Sequence, residues 1–277
     1  LYRLRNPEKP DPRCAAKNCG RELKPVEGYY YRVGNELRRV RPQTHLSTKL
    51  KIDRKRQAAS IGELFSYETN ALEKDIAYVG LLSGIEHGDA QAVFDLGTIL
   101  VGGARGRGFG KMKVEMIPAP SRRSIQERLD GVNEVVRRTW SNCPSGRVLF
   151  TLDFLSDLIL PYGQSLLALL KETFGEELAL LKETFGDDLK VGAAFVREGY
   201  AGGYNAALGM PKDMMSAITK GSCIAGWMPE NKKEELINKL EQVEAEGLGL
   251  RRYEGYGWVL ACDEFHCDRL AVNGGAR

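Results

Sequence analysis

Residues 102–110 read GGARGRGFG, and residues 111–117 continue as KMKVEMI. Charged and apolar residues alternate in the second stretch, which is typical of a β-strand with one buried face. Residues 90–101, before the glycines, predict a helix that runs into a strand. The first glycine loop, Gly102–Gly110, therefore leads directly into a strand. This order excludes the Walker and Rossmann phosphate loops, because both lead from their glycines into a helix.

A second glycine loop lies near the end of the sequence, where residues 247–257 read GLGLRRYEGYG. A predicted helix that starts at Asn231 precedes it, and a predicted strand, Trp258–Cys262, follows it. Both loops have an arginine ahead of a glycine–aromatic–glycine ending. The order of helix, glycine loop and strand thus occurs twice, which indicates an α+β protein of two ferredoxin-like (RRM-type) units.

The boundary between the two units is expected near the middle of the chain. Ser124–Glu127 fits a capping box, and the apolar residues after it recur at helical spacing up to Trp140. A break at Pro144-Ser145-Gly146 follows, and Arg147–Phe154 alternates as a strand does. We therefore predict a first unit over residues 1–143 and a second over residues 144–277.

A tandem repeat lies inside the second unit. Residues 167–177 read LALLKETFGEE, and residues 178–188 read LALLKETFGDD. Two copies are too few for a solenoid, so we interpret them as a duplication that lengthens a helix or a helical hairpin.

Composition and charge limit the classes of function that the chain can have. The 277 residues are 43% hydrophobic and 28% charged, as in an ordinary globular protein, and the formal net charge is only +3. Nucleic-acid binding would therefore depend on local basic patches. The sequence shows neither a signal-peptide pattern nor an apolar run long enough to span a membrane, which favours a cytoplasmic protein. The chain begins at Leu1 without an initiator Met, so we expect the first unit to lack its N-terminal part.

The two loops have the chemistry to hold a nucleic-acid backbone. Glycine allows positive φ and close approach of an anion, and successive N–H groups form a nest for phosphate oxygens. Arginine and lysine add charge-assisted hydrogen bonds, and the aromatic residues pack on a base or ribose. A flexible hairpin without nucleic acid is the alternative. The candidate RNA-binding residues of the loops are Gly102, Gly103, Arg105, Gly106, Arg107, Gly108, Phe109, Gly110, Lys111, Arg251, Arg252, Tyr253, Gly255 and Gly257.

A basic segment follows three tyrosines, Tyr29 to Tyr31, and resembles a groove for single-stranded RNA. It contains Arg38, Arg39, Arg41, His45, Lys49, Lys51, Arg54, Lys55 and Arg56. We include His45 and Arg54 among the RNA-binding candidates. Metal-independent RNA cleavage with His45 as general base is an alternative, and Asp53 is a second catalytic candidate. We favour phosphate binding, since no second catalytic group pairs with His45 in the sequence.

Four of the six cysteines form two C-x4-C pairs, Cys14 with Cys19 and Cys262 with Cys267. Local cysteine pairs in an intracellular protein indicate metal binding more often than disulfides. We predict a structural zinc ion at Cys14 and Cys19, with further ligands from elsewhere in the chain. Cys262, His266 and Cys267 form a second, weaker candidate group, and reduced unliganded cysteines are the alternative.

Residues 102–111 resemble the glycine-rich loop of the RAMP superfamily of CRISPR systems, and residues 247–259 resemble its C-terminal loop. Residues 44–46, 52–54 and 62–68, together with 217–222, are similar to the Csx-ten family of type III-D, which is grouped with the Cas-five-like subunits. The family's N-terminal strand and helix are not recognised here, and the tandem repeat is unusual for it.

The resemblance implies a non-catalytic RNA-binding subunit of a type III effector complex in antiviral defence. Such a subunit would hold the CRISPR RNA at its 5′ tag or at an end, beside the large polymerase-like subunit and the backbone RAMP subunits. Nucleotide cofactors are not implied. Backbone subunits of the superfamily cut target RNA with an aspartate, which is why Asp53 counts as a candidate. An endoribonuclease acting on CRISPR or target RNA and a bridging subunit with little RNA contact are the alternatives.

Overall fold

The structure is a computed structural model that describes residues 29–33, 36–40, 43–71, 77–80, 82, 87–103, 105–117, 122–139, 143–161, 179–205 and 207–266. The described residues up to Glu115 form one compact unit, here called the N-terminal unit. Those from Met116 onward form the C-terminal unit. Within these ranges, every helix is too short or too polar to cross a membrane.

The N-terminal unit consists of antiparallel hairpins. Its described elements are β1 (Tyr29–Val33), β2 (Glu36–Val40), β3 (Gln43–Asp53), β4 (Ala58–Ala71), α1 (His87–Asp95), β5 (Thr98–Leu100) and β6 (Lys111–Lys113). Strands β1 and β2, β3 and β4, and β5 and β6 pair as three two-stranded sheets. The strand predicted over residues 111–117 is therefore shorter than its alternating pattern, because β5 offers only three residues for pairing.

The C-terminal unit contains the apolar core. Its described elements are α2 (Ile125–Thr139), β7 (Arg147–Phe154), β8 (Leu158–Ile159), α3 (Ala179–Phe185), β9 (Lys190–Phe195), β10 (Glu198–Ala201), β11 (Tyr204–Asn205), β12 (Met210–Pro211), β13 (Met215–Ile218), β14 (Cys223–Pro229), α4 (Lys233–Glu246) and β15 (Val259–Ala261).

The main sheet of this unit has the strand order β15-β7-β14-β9, and all its neighbours are antiparallel. Along the chain its strands and two helices follow the order β7, α3, β9, β14, α4, β15. Strands β10, β13 and β8 form a second antiparallel sheet, and β11 pairs with β12. The core is built from α2, α3, α4 and the main sheet; Leu129, Leu149, Phe150, Leu236 and Leu240 are among its fully buried residues.

Helix α2 begins at the predicted capping box. The Glu127 N–H donates to Ser124 Oγ at 3.2 Å, and the Ser124 N–H donates to Glu127 Oε2 at 2.9 Å. The stripe predicted after it is buried at Ile125, Val132 and Val136, whereas Trp140 lies outside the described residues. The prediction of a capped amphipathic helix is therefore confirmed.

Helix α2 also completes one edge of strand β7. Strand β15 pairs with Leu152, Asp153 and Phe154, and among the described strands none pairs with the beginning of that edge. The buried Asn133 fills this place: its side-chain amide donates to the Leu149 carbonyl at 2.9 Å and its oxygen accepts the Leu149 N–H at 2.8 Å. Both polar groups of Leu149 are thereby satisfied away from water.

An ion pair closes the outer edge of the sheet. Arg128 on α2 donates two parallel hydrogen bonds of 2.8 Å to the carboxylate of Glu244 on α4. Glu244 accepts the N–H of Ala261 at 2.7 Å, and Arg128 donates to the Ala261 carbonyl. The pair therefore joins two helices to the edge strand β15, and it satisfies backbone groups that an open edge would leave exposed.

The second copy of the tandem repeat forms α3. Leu181 and Phe185 are buried, and the Phe185 ring lies 5.1 Å from that of Phe150 on β7. The helical prediction for this copy is confirmed, and the first copy, residues 167–177, lies outside the described residues.

The α+β class is confirmed, with mostly antiparallel sheets and few helices. The duplication of a ferredoxin-like unit is not confirmed, because the described strands of the N-terminal unit pair only in twos. The domain boundary at residues 143/144 stays a prediction. In the structure, helix α2 belongs to the C-terminal unit, since its apolar stripe is part of that core.

Candidate nucleic-acid interface

The first glycine loop closes the hairpin of β5 and β6. The Val101 N–H donates to the Gly110 carbonyl at 2.8 Å, and the Gly108 N–H donates to the Arg105 carbonyl at 3.1 Å, which closes a 3₁₀ turn. A Cβ on Gly110 would lie 1.9 Å from the Val101 carbonyl oxygen, and its φ is +75°. Only glycine fits this closure.

The second glycine loop is closed in the same way. The Leu248 N–H donates to the Gly257 carbonyl at 2.9 Å, and the Gly255 N–H donates to the Arg252 carbonyl at 2.9 Å. A Cβ on Gly257 would lie 1.7 Å from the Leu248 carbonyl oxygen, at φ +73°. Helix α4 ends just before the loop, where the Gly247 N–H bonds to the Val243 carbonyl, as predicted from the glycine.

The two loops share one backbone conformation. The closing hydrogen bonds join residues at equal sequence separation, and each encloses a 3₁₀ turn that begins with an arginine. Positive φ occurs at three equivalent pairs of glycines, Gly102 and Gly249, Gly108 and Gly255, and Gly110 and Gly257. The second loop has a further positive φ at Arg251, whose counterpart in the first loop lies outside the described residues. The similarity seen in the sequence therefore extends to the geometry, with Arg105 equivalent to Arg252.

Exposure decides which loop side chains are free for a ligand. Arg105 and Lys111 are exposed in the first loop, and Arg252 and Tyr253 are exposed in the second. The side chain of Arg107 lies outside the described residues. Arg252 also lies 3.4 Å from the Gly247 carbonyl and the Glu246 carboxylate, so its guanidinium is partly engaged.

Arg251 is less available than Arg252. It is half-buried with φ +55°, and its Nη1 is shielded from solvent without a hydrogen-bond partner among the described residues. The exposed charge of the second loop therefore lies on Arg252 rather than on both arginines.

The hairpin of β3 and β4 carries a basic and aromatic face. The register places His45 opposite Thr69 and Lys49 opposite Phe65, and Tyr67 lies between them. Residues two apart on a strand, and residues directly opposite, share one face of a hairpin. His45, Lys49, Phe65 and Tyr67 therefore lie on the same side, which we call the hairpin face.

The first glycine loop packs on this hairpin face. The Phe109 ring lies 5.3 Å from that of Tyr67, which in turn lies 5.4 Å from that of Phe65 in an edge-on arrangement. The structure thus places Phe109 against the hairpin face that also carries His45, although the two predicted site residues are far apart in sequence. Lys49, which the sequence analysis placed only in the basic segment, belongs to the same surface.

The three tyrosines before the basic segment lie on β1, and two of them lie opposite arginines of β2. Tyr30 pairs with Arg39, and Tyr31 pairs with Arg38. Strands β1 and β2 therefore form a hairpin, and the two residues between them, Gly34 and Asn35, lie outside the described residues.

The two catalytic candidates do not meet. Asp53 Oδ1 accepts the N–H groups of Lys55 at 2.9 Å and Arg56 at 3.3 Å, so this carboxylate shapes the turn on which Arg54 is exposed. His45 lies eight residues earlier on β3, roughly 25 Å away at the rise of an extended strand. The His45 side chain is exposed.

The structure describes only some of the predicted cysteine ligands. Cys14 and Cys19 lie outside the described residues, as does Cys267. Cys262 is buried, and its predicted group with His266 and Cys267 stays a prediction because Cys267 is not described. His266 Nε2 lies 2.9 and 3.0 Å from the two carboxylate oxygens of Asp153, and 3.8 Å from Cys223 Sγ.

Sequence reasoning missed Asp153 and Cys223, because only the pairing of β7 with β14 brings them to His266. Burial alone would lower the pKa of His266, but the hydrogen bond and charge of Asp153 outweigh it, so this pKa is raised. Burial raises the pKa of the Cys223 thiol strongly, and the Asp153 carboxylate adds to the effect.

Comparison with known proteins yields no family. No family model and no curated protein matches the chain. Similar solved structures include a partial Cas6-RT-Cas1–Cas2 complex and a Cas6-RT-Cas1–Cas2 complex. Both match over 78% of this chain at 11% identity and a TM-score of 0.27, and the chain spans 38% and 24% of those chains, respectively. A TM-score this low carries no argument about fold or function.

Proposed function

We propose that the chain is a non-catalytic RNA-binding subunit of a type III CRISPR–Cas effector complex, of the type III-D members of the RAMP superfamily. The observation that carries RNA binding is the packing of Phe109 on Tyr67, which joins the first glycine loop to the hairpin face. The assignment to a CRISPR complex rests on the sequence resemblance of the two loops and of residues 44–68.

The hairpin face combines the two elements of a single-strand groove. Lys49 and Arg105 are exposed cations for phosphates, and His45 lies on the same face. Phe65, 40% exposed, offers a ring for a base. Such contacts follow the RNA backbone and its stacked bases and tolerate many sequences. A net charge of only +3 is compatible with this role, because the cations are concentrated locally.

We further propose that the C-terminal unit is a ferredoxin-like domain. Its strand order β15-β7-β14-β9 is that of the split β-α-β arrangement, with the fourth strand beside the first. The shared conformation of the two glycine loops supports a second, related unit that contains the first loop. The partners are then CRISPR RNA, bound at its 5′ tag or an end, the large polymerase-like subunit and backbone RAMP subunits in the cytoplasm.

The proposal assigns no catalysis to His45 or Asp53. The Asp53 carboxylate is occupied in its turn, and His45 is too far away to act with it. An endoribonuclease that uses either residue would need another partner group.

The test is CRISPR RNA retention by the co-expressed complex, comparing wild type with Lys49→Ala/Arg105→Ala. Two lost phosphate contacts should weaken RNA binding and reduce its logarithmic salt slope by about 1.4. The control is Arg137→Ala/Arg138→Ala, which removes the same charge from the exposed side of α2.

An assembled complex that retains RNA equally in both variants would contradict the RNA-binding role and favour a bridging subunit. Loss of RNA cleavage or maturation in a separate His45→Ala variant, with RNA binding retained, would instead support the endoribonuclease alternative.

A further inference from the structure

Three donor atoms of different chemical kinds converge in the C-terminal unit. Asp153 offers a carboxylate oxygen, Cys223 a sulfur and His266 Nε2, and all three atoms lie within 4.8 Å of one another. The three residues are half-buried, so the cluster is sheltered but not sealed from solvent.

The fold holds the three residues in place from separate elements. Asp153 on β7 and Cys223 on β14 are direct partners in the antiparallel register, so their side chains share one face of the sheet. His266 follows β15 on a short turn, in which Asp263 Oδ1 accepts the Phe265 N–H at 2.9 Å and the Asp263 carbonyl accepts the His266 N–H at 3.0 Å. A strand pair and an anchored turn thus present the ligands.

The separations are close to those of a tetrahedral zinc ion. Zn–N and Zn–O bonds of about 2.0–2.1 Å and Zn–S bonds of about 2.3 Å put neighbouring ligand atoms roughly 3.3–3.6 Å apart. The observed distances bracket these values, at 2.9 Å from His266 Nε2 to Asp153 and 3.8 Å to Cys223 Sγ.

The same geometry argues against a nucleophilic triad. In a triad, the histidine uses one ring nitrogen for the nucleophile and the other for the carboxylate. Here Asp153 and Cys223 both approach Nε2. Ligands that converge on one point suit a cation and do not form a proton relay.

We propose that Asp153, Cys223 and His266 bind a divalent transition-metal ion, best matched by zinc, which ties the segment after β15 to strands β7 and β14. Thiolate, imidazole and carboxylate together are a zinc ligand set, and three protein ligands leave a fourth position for water or another donor. The site is independent of the proposed RNA surface, which lies in the N-terminal unit.

The test is zinc affinity of the purified full chain, measured by competition with a chromophoric chelator. The background is Cys14→Ser/Cys19→Ser, so that the N-terminal cysteines cannot contribute. In this background one zinc ion should bind, and Cys223→Ser or Asp153→Asn should each weaken binding at least about 10-fold. Cys143→Ser, a half-buried cysteine elsewhere in the unit, is the matched control and should leave the affinity unchanged.

Circular dichroism without metal identifies variants that fail to fold. If Cys223→Ser fails to fold, the conservative Asp153→Asn variant still tests the site. Zinc should also raise the melting temperature of the background protein but not that of its Asp153→Asn variant. The proposal is overturned if the background protein binds no zinc, or if the folded ligand variants bind it as tightly as the control.

Discussion

At the residue scale, the two glycine loops depend on single positions where no side chain fits. Gly110 and Gly257 combine positive φ with a carbonyl oxygen where a Cβ would lie. Gly255 also has positive φ, +88°, but nothing lies within 4 Å of a Cβ there. The loops therefore contain glycines that are required by contact and glycines that are required only by conformation.

Gly257→Ala should destabilise the C-terminal unit more than Gly255→Ala does. The left-handed conformation costs alanine about 1–2 kcal/mol at either position, and the clash with Leu248 adds to it only at Gly257. Urea unfolding followed by tryptophan fluorescence reports this unit, because all three tryptophans follow Met116. Equal unfolding midpoints in the two variants would show that the loop opens without cost.

At the scale of elements, α2, α4 and β15 meet at one ion pair. Arg128 and Glu244 are 5% and 19% exposed at their side chains, and both also bind the backbone of Ala261. Removing one partner leaves the other charge unpaired and poorly solvated, and it leaves a backbone group of Ala261 without its hydrogen bond.

Arg128→Met and Glu244→Leu should each lower the free energy of unfolding by about 3 kcal/mol. The double variant should lose less than the two single losses combined, because no unpaired charge remains. Arg138→Met is the control, since its ion pair with Glu134 is exposed and should matter by less than about 1 kcal/mol. Strict additivity in this double-mutant cycle, measured by urea unfolding, would refute the coupling.

The capping box makes the start of α2 sensitive to acid. The backbone N–H of Ser124, and then its hydroxyl, lower the pKa of Glu127 below its ordinary value of 4.5. A lowered pKa in the folded state means that the stabilisation is present above pH 4.5 and is lost as the pH falls through the lower folded value.

Wild type should therefore lose stability on acidification more steeply than Glu127→Gln in this pH window, and the two should differ by a constant amount at neutral pH. Unfolding midpoints measured along a pH series check this. Parallel curves down to acid pH would mean that Glu127 does not cap the helix in solution.

At the scale of the whole molecule, the proposed RNA surface predicts that base stacking and charge contribute differently to RNA affinity and to its salt dependence. Phe65→Ala on the hairpin face should weaken RNA binding by about 1–3 kcal/mol and leave the salt slope unchanged, because a stacked ring releases no counterions. Leu64→Ala is the control, since Leu64 is 68% exposed on the opposite face of the same hairpin. Equal RNA affinity in both variants would show that the hairpin face does not contact RNA.

Several elements were predictable because their signals are local. The capping box at Ser124, the stripe of α2 and the strand pattern of β7 depend on residues within a few positions of one another. The glycine endings of both loops were likewise visible, since a tight turn needs glycine wherever it occurs. The strand after the first loop was overestimated, because alternation alone does not provide a partner strand.

The site was less predictable, because its members are distant in sequence. The residues of the two loops were predicted, but the contact of Phe109 with Tyr67 depends on how two hairpins pack. The cluster of Asp153, Cys223 and His266 was not predicted, since the β7–β14 register brings its first two members together.

The sequence by itself determined the α+β class, the capped start of α2, the glycine end of α4 and the repeated glycine loops. Each of these follows from the conformational preference of nearby residues. Only the tertiary structure decided the strand order, the edge completed by Asn133 and the ion pair of Arg128 with Glu244. It also decided which exposed cations and rings share a face. Those outcomes depend on burial and strand register between distant segments, which local preferences do not specify.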